Sequence, residues 1–160
     1  MLWRLPPKVY KAGKGECNRV AMKTLVESGT VPGLLAFDGT EAVGWCALAP
    51  RVDYPALARS KVMAPVDDEP CWSVSCLFIR RDYRKKGVST FLLKAAAGHA
   101  EKQGAGILEG YPVEPGKQDI PPAFAWTGIP RAFELAGFRE VARRSPTRPI
   151  MRMELGQQAA

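Results

Sequence analysis

The sequence predicts an α/β (α+β mixed) fold, a central twisted mixed sheet of about six or seven strands with helices on both faces. Two observations carry that prediction. Leu77 to Leu93 reads as a buried strand, a basic turn and a helix, the unit that joins parallel strands. Around it, apolar runs of strand length are separated by turn dipeptides and by segments of helical period.

Residues 1–15 hold Pro6, Pro7, Lys8, Lys11 and Lys14 without a clean period, and read as an N-terminal arm on a single domain spanning 16–157. Asn18 to Glu27, with Val20, Met22, Leu25 and Val26 apolar, predicts a short helix closed by Gly29. Leu34–Phe37 and Ala42–Leu48 flank Asp38-Gly39, a hairpin signal, and their weak alternation says that both faces are covered. Pro50 to Asp68 is an irregular connection with helical turns around Leu57–Val62, long enough to be functional or surface-wrapping. Cys71–Ile79 is the central strand. Beyond the basic turn, Val88, Phe91, Leu92, Ala95, Ala96 and His99 recur at i, i+3, i+4 and predict a helix that Gly104 ends. Ile107–Pro112 predicts the next parallel strand, reached by a right-handed crossover. Glu114–Thr127 holds Pro115, Gly116, Pro121 and Pro122 and predicts irregular structure. Pro130 suits the first turn of a helix through Leu135, capped by Gly137, before a closing antiparallel pair over Phe138–Arg143 and Ile150–Leu155.

At 160 residues, 46% hydrophobic and 24% charged, the chain can bury one self-sufficient core. No apolar run has membrane-span length and the N-terminus lacks a signal-peptide pattern, so no membrane partner is expected and the expected location is the cytoplasm. Cys17, Cys46, Cys71 and Cys76 form no CxxC pair and His99 is the sole imidazole, so no metal site is predicted. Cys46, Cys71 and Cys76 read as buried thiols, Cys76 with a functional alternative, and His99 as a core histidine. The net charge of +7 calls for an anionic partner. Arg80, Arg81, Arg84, Lys85 and Lys86 gather that charge at one turn; Arg139, Arg143, Arg144, Arg148 and Arg152 lie among strand-like segments. Aromatics are not interleaved with either group as a base-stacking platform needs, so a phosphorylated ligand explains the charge better than nucleic acid does.

Physically, the basic turn is an anion cradle. The first amides of a helix lack acceptors and the helix dipole adds partial positive charge there. Gly87 permits close backbone approach. An ordinary βα turn with a solvated basic patch is the alternative.

Arg84-Lys85-Lys86-Gly87-Val88-Ser89 resembles the Arg/Gln-x-x-Gly-x-Gly/Ala signature of the GNAT superfamily of N-acetyltransferases, with Ser89 in the last small-residue position. Phe133-Glu134-Leu135-Ala136-Gly137-Phe138 resembles that family's aromatic-x-x-x-Gly-Phe segment. The resemblance runs from Pro32 to Leu155. It implies one more N-terminal strand and helix, which either Met1–Gly15 supplies or the chain begins beyond. It implies acetyl-CoA as cofactor, its acyl arm along Leu77, Phe78 and Ile79 and its pyrophosphate on amides from Tyr83 to Ser89. Arg80, Arg84, Lys85 and Lys86 are then candidates for the outer phosphates, and Gly87, Val88, Ser89 and Thr90 complete the cofactor set. A splay between the central strand and Ile107–Tyr111 would open the thioester site.

Acetyl transfer to a primary amine of a small molecule or protein needs a base, because an ammonium cannot attack. Where relatives often carry a strand acid, this chain has Ser75 and Cys76. Glu109, interrupting an apolar run, is the first candidate base, since burial would raise its pKa toward neutrality; a solvated groove or an arginine partner is the alternative. Glu114 is the second. Phe133 stands where many relatives have a proton-donating tyrosine, so Tyr111 is the candidate acid, unless none is used. Trp126 could wall the acceptor pocket, which the loops 51–68 and 115–130 would shape. Two other readings stay open: a non-catalytic acyl-CoA-binding module of the same fold, motivated by the missing strand acid and Phe133, and a nucleic-acid-binding protein, motivated by charge alone. A homodimer is also open.

Overall fold

A computed structural model describes residues 1–115 and 125–156. Its strands are β1 (Gly33–Asp38), β2 (Glu41–Pro50), β3 (Trp72–Ile79), β4 (Ile107–Gly110), β5 (Arg139–Arg143) and β6 (Pro149–Glu154). Its helices are α1 (Pro7–Ala12), α2 (Glu16–Glu27), α3 (Pro55–Ala58), α4 (Val88–Lys102) and α5 (Pro130–Ala136). The strands form one six-stranded sheet in the order β1-β2-β3-β4-β6-β5. Only β3 and β4 run parallel; every other pairing is antiparallel. This is the mixed sheet expected. No strand lies within residues 1–32, so the segment Met1–Gly15 supplies a turn and α1 instead of a first strand. Residues Gly116, Pro121 and Pro122 of the predicted loop, and the predicted boundary at 157, lie outside the described residues.

Local chemistry places the elements. Gly39 takes φ 57° in the β1–β2 turn, and Gly137 ends α5 at φ 104°, a left-handed position that suits glycine. Between β2 and β3, Pro55 opens α3 earlier than the helical turn expected at Leu57–Val62. The sheet is covered on both faces. α4 and α5 pack Leu92, Leu93, Ala96 and Phe133 on one side, against Cys46, Leu48, Val74 and Leu108. Tyr54 and Leu57 cover the other side with Tyr111 and Ile150. The buried stripe of α4 is Leu92, Leu93, Ala96, Ala97 and Ala100, displaced from the expected one: Phe91 is 64% exposed. Nearly every residue from Val88 to Ala97 except Ser89, Thr90 and Lys94 is apolar, so the period alone did not fix the phase.

Two irregularities shape the middle of the sheet. β3 pairs with β4 only from Trp72↔Leu108 to Val74↔Gly110, then continues to Ile79 with β2 as its one strand partner among the described residues. At the same level the β2–β3 register jumps from Ala47↔Cys76 to Leu48↔Val74, leaving Ser75 as an extra residue. A bulge next to a strand parting re-aims side chains into the gap.

Candidate active site

Where β3 leaves the sheet, Arg81–Tyr83 form a single 3₁₀ turn and the chain enters α4 through Lys85 at φ 59° and Gly87 at φ 80°. Among the described residues, no acceptor takes the amides of Lys85 to Thr90, and no side chain caps α4; its first bond is Phe91 N–H to Gly87 O at 3.0 Å. A Cβ added at Gly87 would meet nothing within 4 Å, so the turn faces open space. These amides, and the positive end of a fifteen-residue helix, make the cradle that the sequence suggested.

The cradle opens onto a cleft of about 580 Å³. One wall is Leu77, Phe78 and Ile79; the turn contributes Arg84, Lys85, Gly87, Val88 and Ser89. Trp126, Gly128, Ile129 and Ala132 form the opposite wall. Trp126 also borders a second cleft, of about 480 Å³, which reaches Ser75, Cys76 and the N-terminal segment. Trp126 therefore lines both spaces, and its carbonyl accepts from Leu77 N–H on the β3 edge that β4 has left.

A model of the Acetyltransferase (GNAT) family matches residues 3–115. This chain belongs to the GNAT family of acetyltransferases. Solved structures of the same fold include a GNAT-family protein of Desulfovibrio desulfuricans (15% identity, 94% of this chain and 83% of that one, TM-score 0.55). Others are yncA of Salmonella typhimurium with its cofactor acetyl-CoA (17%, 89% and 75%, 0.53) and a ribosomal-protein-alanine N-acetyltransferase of Brucella melitensis (14%, 88% and 78%, 0.52). No curated protein sequence matches the chain significantly.

Within this GNAT domain, the residues expected to hold the cofactor divide. Leu77, Phe78, Ile79, Arg84, Lys85, Gly87, Val88 and Ser89 line the first cleft; Arg80, Lys86 and Thr90 do not. Arg80 is held by Glu41 at 2.5 Å and by Asp82 at 2.8 Å, which raise its pKa and spend its charge. Lys86 Nζ lies 5.1 Å from the Tyr83 ring centroid, and Thr90 Oγ1 donates to Ala132 O at 3.4 Å. Only the backbone amides of Lys86 and Thr90 belong to the cradle. The edge of β3 is also partly committed, since Leu77 N–H donates to Trp126 O at 2.7 Å and Arg84 Nε–H to Ile79 O at 3.1 Å.

The catalytic candidates lie elsewhere. Glu109 is wholly buried where β3 and β4 are still paired, opposite Ser73 on one side and Arg152 on the other. Arg51 Nη1 donates to its Oε1 at 2.8 Å, Arg152 Nε to its Oε2 at 2.7 Å, and the Tyr111 hydroxyl to Oε1 at 2.5 Å. Both oxygens are engaged, and Glu109 lines neither cleft. A buried carboxylate that two guanidiniums hold and that lines neither cleft is out of reach of an amine there, which matches the arginine-partnered alternative. Tyr111 is equally enclosed, bonded to Ser73 Oγ at 2.8 Å, and burial followed by the Glu109 charge pushes its pKa well above the ordinary phenol value. It is no acid for a cleft it does not touch. Glu114 pairs with Arg143 at 2.9 Å, outside both clefts. Phe133 is fully buried in the core beneath α5, edge-on to Phe138 with centroids 5.0 Å apart.

Around the second cleft the sequence pointed to Ser75, Cys76 and Trp126 but missed Trp3, Arg4 and Tyr54. Trp3 stacks on Trp126 with centroids 5.6 Å apart, and its Nε1–H donates to Ser75 O at the bulge, 3.1 Å away. Arg4 lies over the Tyr54 ring at 4.8 Å. The one available signal was the pair Trp3-Arg4 inside a segment otherwise read as an arm. Cys76 sits at this junction with its thiol pKa raised by burial, so it stays protonated. His99 packs edge-on against Trp72 at 5.9 Å on α4, remote from the junction.

Proposed function

We propose that this GNAT domain is an acetyl-CoA-dependent N-acetyltransferase that passes the acetyl group directly to a primary amine of a small molecule or protein. One observation carries this: a run of amides without acceptors, Lys85 to Thr90, faces a cleft that shares the wall residue Trp126 with a second cleft. The amides and Arg84 and Lys85 would hold the phosphates, and Leu77 to Ile79 with Ile129 would flank the acyl arm. Bound there, acetyl-CoA supplies a thioester carbonyl that a neutral amine attacks, forming C–N and releasing the CoA thiolate. Among the described residues lining either cleft there is no Asp or Glu. Instead Arg4 and Lys14 make the second cleft electropositive, which lowers the pKa of an amine entering it and favours the neutral nucleophile. The amine proton passes to solvent. The departing thiolate takes its proton from solvent, since burial raises the Cys76 thiol pKa and makes it a poor donor. Residues 16–157 would form the catalytic domain, with residues 1–15 closing the acceptor side. The expected setting is the cytoplasm, where thiols such as those of Cys17, Cys46, Cys71 and Cys76 stay reduced. Among the described residues no helix is long and apolar enough to cross a membrane.

The missing cleft carboxylate favours one other reading, an acyl-CoA-binding module without turnover. Calorimetric titration with acetyl-CoA, followed by free-thiol release across an amine panel, separates them. Binding with acceptor-dependent thiol release supports the transferase; binding without release supports the module; tight duplex binding without acetyl-CoA binding refutes both.

A further inference from the structure

The second cleft holds polar groups that the fold leaves without partners. Tyr54 is 2% exposed, and its hydroxyl lies beside Ser75 and Arg4 yet completes no hydrogen bond among the described residues. Arg4 Nη2 is buried and likewise unpartnered. Its other terminal nitrogen, Nη1, has only a long contact to Asp53, 3.4 Å away. Buried donors almost always find acceptors, so these two neighbouring groups, closed to solvent and short of partners, hold hydrogen-bonding capacity that a small side-chain rotation turns to the cleft. The rest of the lining is apolar and flat: Trp3, Trp45 and Trp126, with Met22 and Leu2. Arg4 and Lys14 are the only charged side chains in the lining among the described residues.

We propose that this cleft takes, as acetyl acceptor, a small amine that also bears a carboxylate and a flat apolar group, that is, an aromatic amino carboxylate. This deepens the transferase reading and rests on it. A guanidinium nitrogen and a phenol hydroxyl are both donors, and a planar carboxylate accepts from both at once. Indoles give the apolar group a stacking surface. A volume of about 480 Å³ suits a small molecule. Polyamines and basic peptides meet like charge at Arg4 and Lys14, with no acid in the lining to offset it. Ser75 and Cys76, on the same wall, adjoin Leu77 of the cofactor cleft, so the carboxylate site is next to the point of transfer.

The test is equilibrium binding read by tryptophan fluorescence, with L-phenylalanine and phenethylamine as probes, which differ only by the carboxylate. L-Phenylalanine should bind at least about ten-fold tighter, the usual worth of a hydrogen bond to a charged group. Arg4→Gln should remove that preference, and Tyr54→Phe should reduce it by about three-fold or more, with phenethylamine affinity unchanged. Equal or tighter binding of phenethylamine to the unaltered protein overturns the proposal, and that comparison needs no variant to fold. Absence of saturable L-phenylalanine binding overturns it too. Acetyl-CoA titrated in parallel reports on the transferase reading alone: its failure with the amino-acid preference intact sinks that reading, and the reverse sinks only this one.

Discussion

Replacing Glu109 by glutamine distinguishes a structural carboxylate from a catalytic one. The side chain is wholly buried and its charge is shared between Arg51 at 2.8 Å and Arg152 at 2.7 Å, themselves 12% and 7% exposed. Removing one partner of a buried ion pair costs about 3–5 kcal/mol, because the remaining charge stays desolvated. The lower end applies here. Arg152 keeps both Asp67 oxygens, at 2.5 and 3.0 Å, and Arg51 keeps Met63 O at 2.5 Å. About 3 kcal/mol corresponds to a fall in Tm of about 6–12 °C for a domain of this size. Thermal and urea unfolding followed by circular dichroism measure it, and acetyl transfer per folded molecule is followed against pH in parallel. The expected outcome is a large stability loss with an unchanged pH profile. An unchanged Tm, accompanied by a hundred-fold fall in kcat and a flattened profile, would refute the structural assignment and restore Glu109 as base.

Four further outcomes are expected. Gly87→Ala places a Cβ at φ 80°, costing about 1–2 kcal/mol of strain with no clash, and should weaken acetyl-CoA binding about ten-fold; unchanged affinity by calorimetry contradicts the cradle. Gly110→Ala would set a Cβ 2.1 Å from Phe133 Cε1, so a loss of about 1–3 kcal/mol or more should appear in urea melts, and none would mean that the ring can move aside. Arg152 holds the Asp67 carboxyl below its ordinary value, so that contribution is present above about pH 4 and is lost as pH falls through the folded value. Asp67→Asn should therefore be less stable than the parent at pH 7, with the gap closing as pH falls below the ordinary carboxylate range; a gap that persists in strong acid points elsewhere. Burial pushes the Cys71 thiol up to about 11 and that of Cys46 higher still, while Cys17 is exposed. A thiol reagent at pH 8 should modify Cys17 rapidly and Cys46 and Cys71 only after unfolding, as peptide mass mapping would show.

What could be read from the sequence was whatever depends on neighbours along the chain. Gly87, the basic run and the helix after it are consecutive, so the strand–turn–helix unit followed from local rules and the structure keeps it. The hairpin at Asp38-Gly39 and the Pro130–Gly137 helix are local in the same way. Glu109 failed because its character is set from far away: its arginine partners lie 58 and 43 residues distant, and nothing in Ile107–Tyr111 encodes them. An acid interrupting an apolar run looks the same whether it faces a substrate or two guanidiniums. The surroundings of Arg80 are set from afar in the same way, since Glu41, 39 residues away, pairs with it.

The second cleft was invisible for a stronger reason: no single element makes it. Trp3 crosses 72 residues to reach Ser75, and Arg4 reaches Tyr54 on the far connection. What draws them together is the extra residue at Ser75, which turns β3 just where β4 stops pairing. If β3 ran on in register past Val74, its edge would bond to a longer β4 and no gap would remain for Trp126 to enter. The missing strand acid at Ser75 and Cys76 therefore reads differently in three dimensions. In the transfer proposed above, the work of favouring a neutral amine would fall to the positive charge of Arg4 and Lys14, which line the second cleft, instead of to a carboxylate.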